Sequence, residues 1–183
     1  ELGVPTMVAS SGGRYICRDA GDVHDVQETL IQYPNVTLTW MMSLTNSYGF
    51  DLQGDPKPRT RLGVYFHGAN GTFYADYLGA STLVPEGEAL KGKPVPPMSI
   101  PPSPGQEREW LDCIMSRQQP SCSVFHHVKV DVPIVLSLLS LQLGRSVRFD
   151  PEGERIVGDD EAARRAIPEY RAPWKFPSDY LTA

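Results

Sequence analysis

Apolar and polar positions alternate through the first half of the chain, a pattern typical of β-strands. Between Val36 and Leu44 an apolar side chain stands at every second position, which predicts a strand with one face on a core. Short turns separate the segments and no helical segment intervenes, so the sheet is predicted to be mostly antiparallel. The predicted strands are 6–10, 14–18, 27–33, 36–44, 61–67, 72–77 and 81–84, with a turn or a bulge at Ser11-Gly12-Gly13 between the first two.

Helical spacing replaces this alternation in the second half. Apolar residues recur every three to four positions in 106–118 and again in 125–143, where Pro133 must lie in a first turn or produce a kink. Gly144 is predicted to end the second helix. Asp159 is predicted to cap a short third helix.

These elements predict an α+β fold, an open-faced and mostly antiparallel sheet with two or three helices packed on one face. The whole chain, 1–183, is interpreted as one domain, and its prolines between 85 and 105 predict a loop within that domain. Trp110 is expected to pack between the first helix and the sheet. Large apolar groups fall on both faces of the strands, so the uncovered face is predicted to form a dimer or tetramer interface.

Composition and charge then exclude several classes of protein. The formal charge is −5 and no basic stripe is present, which disfavours nucleic acid as a partner. The longest apolar run, Val132 to Leu143, is shorter than the roughly 20 residues of a membrane span, so no membrane association is predicted. The three cysteines form no C-x-x-C pair and are interpreted as reduced thiols, and we expect a cytoplasmic location.

The sequence carries no motif for a cofactor cradle or an activated nucleophile. G-x-G-x-x-G, the P-loop, G-x-S-x-G and H-E-x-x-H are all absent. His126 and His127 begin the apolar helical segment, and neighbouring positions on a helix point in different directions. One exposed and one core-edge histidine is therefore the favoured interpretation, ahead of a substrate contact and of a metal site. Asp22, His24 and Asp25 are interpreted as part of a solvated loop.

Two further pairs are candidates for substrate binding. Arg14 and Tyr15 follow two glycines and would present a guanidinium and a phenol at a cleft, with a plain edge strand as the simpler alternative. Asn46 and Tyr48 follow the alternating strand, at a position where loops often carry binding groups. A simple turn is the alternative for this second pair.

Six short segments carry a further signal when they are taken together and in order. They are SSGGRY (10–15), HGANGT (67–72), WLDCIMSR (110–117), LGRSVRFDP (143–151), VGD (157–159) and YRAPW (170–174). In this order and spacing the chain resembles the C-terminal domain of the Gfo/Idh/MocA oxidoreductases, the glucose–fructose oxidoreductase and inositol dehydrogenase superfamily. The YRAPW segment is the most specific of the six.

The resemblance implies a two-domain enzyme that oxidises or reduces a carbon of a sugar or polyol by hydride transfer. A Rossmann domain would bind NAD or NADP and supply a catalytic lysine, and the C-terminal domain would line the substrate pocket and form the oligomer interface. Val128 stands where related sequences usually carry a basic residue after the histidine pair, which weakens the substrate role of that pair. The candidates for substrate binding are Arg14, Tyr15, Asn46, Tyr48, His126, His127, Arg171 and Trp174.

The resemblance implies that the chain begins downstream of the family's Rossmann domain and of its Asp-x-x-x-His element. No catalytic, cofactor-binding or metal residue is therefore assigned to it, and we expect it to be inactive in hydride transfer by itself. Two alternatives stay open at this point. One is a stand-alone, non-catalytic module that binds protein or carbohydrate, and the other is a metal-dependent enzyme built on the histidines.

Overall fold

The computed structural model describes residues 2–45, 62–77 and 79–178, and the chain divides into two compact units. The large unit comprises Glu1–Thr45 and Arg117–Ala183, and the small unit comprises Asn46–Ser116. The strands are β1 (Met7–Gly13), β2 (Val26–Gln32), β3 (Thr37–Ser43), β4 (Gly63–Gly68), β5 (Gly71–Asp76), β6 (Ser81–Pro85), β7 (Val147–Asp150) and β8 (Arg155–Ile156). The helices are α1 (Gln106–Ser116), α2 (Val124–Leu143) and α3 (Asp160–Arg165).

The predicted α+β class is confirmed, and the strands form two sheets instead of one. The large unit holds a five-stranded sheet in the order β3-β2-β1-β7-β8, and the small unit holds a three-stranded sheet in the order β4-β5-β6. Every strand pair in both sheets is antiparallel. Periodicity in the sequence is a local signal, and it does not predict which strands share a sheet.

The core of the large unit lies between α2 and the sheet. Val8 of β1 and Val147 of β7 are fully buried, and they cluster with Leu136 and Leu139 of α2 and Ala162 of α3. Because side chains alternate across a strand, Val8 defines the helix-facing side of the sheet. The residues of β1 on that side are Val8, Ser10 and Gly12.

The first predicted hairpin is wrong. β1 runs straight through Ser11-Gly12-Gly13, which pair with β2, and residues 14–18 form no strand. A Cβ on Gly12 would lie 2.2 Å from the carbonyl oxygen of Val26. Gly12 therefore permits the close approach of two strands, and it does not form a turn.

α2 has the predicted apolar spacing and the predicted end. Gly144 adopts a left-handed conformation with φ 66° and terminates the helix, while Pro133 lies buried inside it. The helix begins at Val124 and is therefore longer than the apolar run from Val132 to Leu143. By length and composition alone it is long enough to cross a membrane. The sheet-facing side of α2 forms part of the core just described.

α1 differs from the prediction, because no residue of this helix is buried. Trp110 is 61% exposed, so its expected packing on a sheet is wrong for the described structure.

Residues 86–105 contain neither helix nor strand, in agreement with their proline content. In the β4-β5-β6 sheet Tyr65 and Tyr74 face each other across one side, and Phe66 and Phe73 face each other across the other.

Candidate functional site

A row of polar side chains lies on the helix-facing side of the large sheet. Gln27 and Thr29 alternate with exposed residues along β2 and are themselves buried. The Thr29 hydroxyl lies 2.8 Å from the hydroxyl of Ser10, its cross-strand neighbour, and accepts a 3.2 Å hydrogen bond from the Gln27 amide. We call Ser10, Gln27 and Thr29 the polar row. Burying these groups costs little because they satisfy one another.

Ser140 of α2 ties the helix to this part of the sheet. Its hydroxyl accepts a 2.8 Å hydrogen bond from the backbone N–H of Ser10 and donates a 2.7 Å bond to the carbonyl of Arg145. β7 pairs with β1 only at Met7 and Val8, so the Ser140 hydroxyl occupies the place of a neighbouring strand beyond that point. The side chain is fully buried, which makes the position of α2 over β1 specific.

Trp40 lies next to the polar row, on the side of β3 that faces the helix. It pairs with Thr29 across β2 and β3, and paired residues of antiparallel strands share a face. The indole is 44% exposed, although it lies on the helix-facing side. A half-exposed aromatic ring above a fixed hydrogen-bonded framework is a surface that can hold a small ligand.

The loop that joins β1 to β2 is organised by Asp25. This residue is only 1% exposed, and its carboxylate accepts hydrogen bonds of 2.7–2.8 Å from the backbone N–H groups of Tyr15, Ile16 and Cys17. Those bonds lower the pKa of Asp25 to about 2, and the bond from Tyr15 has the largest effect. The prediction of a solvated loop is therefore wrong for Asp25, which holds the loop in one conformation.

Arg14 and Tyr15 lie in this loop, in different environments. The Arg14 guanidinium donates a 2.8 Å hydrogen bond to the Cys17 carbonyl and pairs with the Asp19 carboxylate, so its charge is used within the loop. The Tyr15 ring is exposed and packs over Gly13, where a Cβ would lie 2.6 Å from the ring. Of this pair, Tyr15 alone keeps a side chain free to meet a ligand.

Two further predicted pairs lie on the surface of the large unit. His126 and His127 both lie exposed in the first turn of α2, so the interpretation of one of them as a core-edge histidine is wrong. Arg171 and Trp174 lie exposed in a turn closed by a 3.0 Å backbone hydrogen bond between them. In the described part of the chain, no hydrogen bond, ion pair or ring contact joins these pairs to each other or to Arg14 and Tyr15. Asn46 and Tyr48 lie outside the described residues.

Sequence reasoning missed the polar row and the exposed side of Trp40. The period-two pattern places Trp40 on one face of a strand, but it does not say how far a helix covers that face. Gln27 and Thr29 do alternate with Glu28 and Leu30, and this alternation was the available signal. It was weak because the buried positions carry polar side chains.

No metal site and no dinucleotide cradle is found among the described residues. No group of three or more histidine, cysteine, aspartate or glutamate side chains comes together within ranges 2–45, 62–77 and 79–178. A dinucleotide cradle needs parallel strands joined by a glycine-rich turn and a helix. All strand pairs described here are antiparallel, so no step of a reaction is assigned to NAD on this chain.

No protein-family model and no curated protein sequence matches the chain. Among solved structures, the chain is similar to an oxidoreductase from Agrobacterium radiobacter in complex with NAD+, L-tartaric acid and magnesium, with 18% identity and a TM-score of 0.44. The similarity covers 80% of this chain and 44% of that one, so the chain spans less than half the length of that enzyme.

Proposed function

We propose that this chain is the substrate-side, C-terminal domain of an NAD- or NADP-dependent oxidoreductase that acts on a sugar or polyol. In this proposal the chain supplies one wall of the substrate pocket, and a Rossmann domain supplies the dinucleotide and the catalytic lysine. The six segments from SSGGRY to YRAPW support it by their order along the sequence, as does an antiparallel sheet with helices on one face. The substrate and the cofactor are those that the family resemblance implies.

The proposal of a pocket wall rests on the placement of Trp40 beside the polar row. A sugar or polyol presents C–H groups that pack on an aromatic ring and hydroxyls that need hydrogen-bonding partners. The side-chain hydrogen bonds of Ser10, Thr29 and Gln27 fix β1 and β2, and β2 pairs with β3, the strand that carries Trp40. The backbone that carries the indole is therefore held in place before a ligand arrives, which reduces the entropy lost on binding.

Binding of a polyol should depend on Trp40. We expect inositol, sorbitol or glucose to shift the NMR signal of the Trp40 indole N–H in a saturable way, and Trp40→Ala to abolish the binding of the same ligand measured by calorimetry. Trp110→Ala is the matched control, because Trp110 is also exposed and belongs to the small unit. Equal loss of binding in both variants, or saturable binding of NAD+ by this chain alone, would contradict the proposal.

The open side of the large sheet is the proposed oligomer interface. Ala9, Leu30 and Met41 share the face opposite to the polar row, and Leu30 and Met41 are exposed there. Neighbouring Glu28 and Thr39 make this face partly polar, as is common for interfaces between folded subunits.

A charge placed on this face should separate the subunits. We expect the wild-type chain to scatter light as a dimer or larger, and Leu30→Asp to scatter as a 20.3 kDa monomer, because a buried unpaired carboxylate is costly. Ile134→Asp places the same charge on the exposed side of α2 and should leave the dimer intact. A wild-type chain that stays monomeric at all concentrations would overturn the proposed interface.

A further inference from the structure

A cleft of about 400 Å³ opens within the large unit, between α2, α3 and the turn that joins β7 to β8. Val132 and Leu139 of α2 form one wall, Ile156 lies at its base, and Ala163 and Ala166 of α3 form the other wall. The cleft lies at the β7–β8 end of the sheet, whereas the polar row lies on β1 and β2. It is therefore separate from the proposed substrate pocket.

The two alanines leave the space between the helices unfilled, and an ion pair holds the helices in place. The Arg145 guanidinium follows the end of α2 and binds the Asp159 carboxylate at 2.7 and 2.9 Å and the Glu161 carboxylate at 2.8 Å. Asp159 in turn caps α3 through a 3.0 Å hydrogen bond from the Ala162 N–H. α3 is thus fixed by polar contacts at its first turn, while its small apolar side chains face the cleft.

The charged groups at the rim of the cleft favour a cation. Arg155 lies 3.5 Å from the Asp150 carboxylate, which balances its charge. Asp131 and Glu154 also line the cleft, and neither side chain makes a hydrogen bond or an ion pair within the described ranges. The rim therefore carries two carboxylates that no basic group of the described chain neutralises.

We propose that this cleft binds a small amphiphilic amine, with its apolar body along α2 and its ammonium group at Asp131 and Glu154. The volume lies in the range of small-molecule sites, about 300–1,000 Å³, and the lining combines an apolar wall with a few charged groups. Burial of the apolar body drives binding. The two carboxylates select a cation over a neutral or anionic head, and salt weakens that selection.

The proposal is tested with three ligands that share one alkyl chain: decylammonium, decanol and decanoate, each below its micelle concentration. Calorimetry on the whole chain should show saturable binding in the order decylammonium, decanol, decanoate, with steps of about tenfold in Kd, roughly 1.4 kcal/mol each. Asp131→Asn combined with Glu154→Gln should bring decylammonium to the affinity of decanol. Asp160→Asn removes an exposed carboxylate that does not line the cleft, and it should change nothing.

Filling the cleft tests its location. Ala163→Leu, or Ala166→Leu if the first variant melts early, should weaken decylammonium and decanol together by at least about tenfold. Absence of saturable binding by all three ligands would overturn the proposal, as would a preference for decanoate. Unchanged binding in a folded cleft-filling variant would also overturn it. A cleft reserved for a helix of another protein would give the first of these results.

Discussion

Leu136→Ala is expected to lower the free energy of unfolding of the chain by about 2–5 kcal/mol. Leu136 is 2% exposed and packs in the cluster that contains Val8 and Val147. The substitution removes buried methyl groups and leaves a cavity, because the β-strands beneath and the Ser140 hydrogen bonds restrain the collapse of α2.

Leu138→Ala is the matched control, because it deletes the same atoms from the same helix. Leu138 is 44% exposed, so this change should cost about 0.5 kcal/mol or less. Urea unfolding of both variants, with the midpoint and slope fitted together, gives the comparison. Equal losses for the two variants would mean that α2 does not present Leu136 to the sheet.

Periodicity in the sequence predicted most elements, because one period corresponds to one type of backbone. The alternation through 36–44 gave a strand near its observed limits, Thr37–Ser43. Helix ends were also predictable where one residue has a defined role. Gly144 ends α2 with a left-handed conformation, and Asp159 caps α3 with its carboxylate.

Long-range features were not predictable in the same way. The pair Gly12-Gly13 suits a turn and also suits the close approach of two strands, and only the partner strand decides between them. Trp110 has helical spacing with its neighbours, but spacing alone does not supply a surface to cover it. The candidate site was missed for the same reason, since the exposure of Trp40 depends on the position of α2.

Asp25 shows how a residue that looks like part of a solvated loop becomes structural. Loop residues rich in charge are usually exposed, and the sequence has no sign of where the backbone N–H groups of Tyr15, Ile16 and Cys17 point. Once these three donors converge, one carboxylate satisfies all of them. The same residue joins the loop to two strands, because its backbone N–H binds Gly13 and its carbonyl accepts from Leu44.

Asp25→Asn is expected to loosen the loop between β1 and β2 and to lower the melting temperature at neutral pH. The amide keeps one acceptor oxygen and turns an NH2 group towards the remaining donors, which cannot bind it. Amide hydrogen exchange at Tyr15, Ile16 and Cys17 should become faster by about tenfold or more. The polar row and α2 should keep their protection, since their hydrogen bonds do not involve Asp25.

The dependence of the melting temperature on pH below neutrality provides the sharper test. The three backbone hydrogen bonds depress the pKa of Asp25 from its ordinary value of 3.8 to about 2 in the folded chain. A depressed carboxyl pKa stabilises the fold fully above the ordinary pKa, and this contribution declines as the pH falls towards the folded value. The difference in melting temperature between wild type and Asp25→Asn should therefore be constant above pH 5 or so and shrink between about pH 4 and pH 2.

Asp22→Asn is the control for this profile, because Asp22 lies in the same loop and is exposed. Its melting curve should follow that of the wild type across the whole pH range. The Asp159 carboxyl, whose pKa is also held at about 2 by Arg145, stays present in every variant, so its acid titration cancels in the difference. A difference between wild type and Asp25→Asn that does not change with pH would show that the Asp25 charge does not stabilise the folded loop.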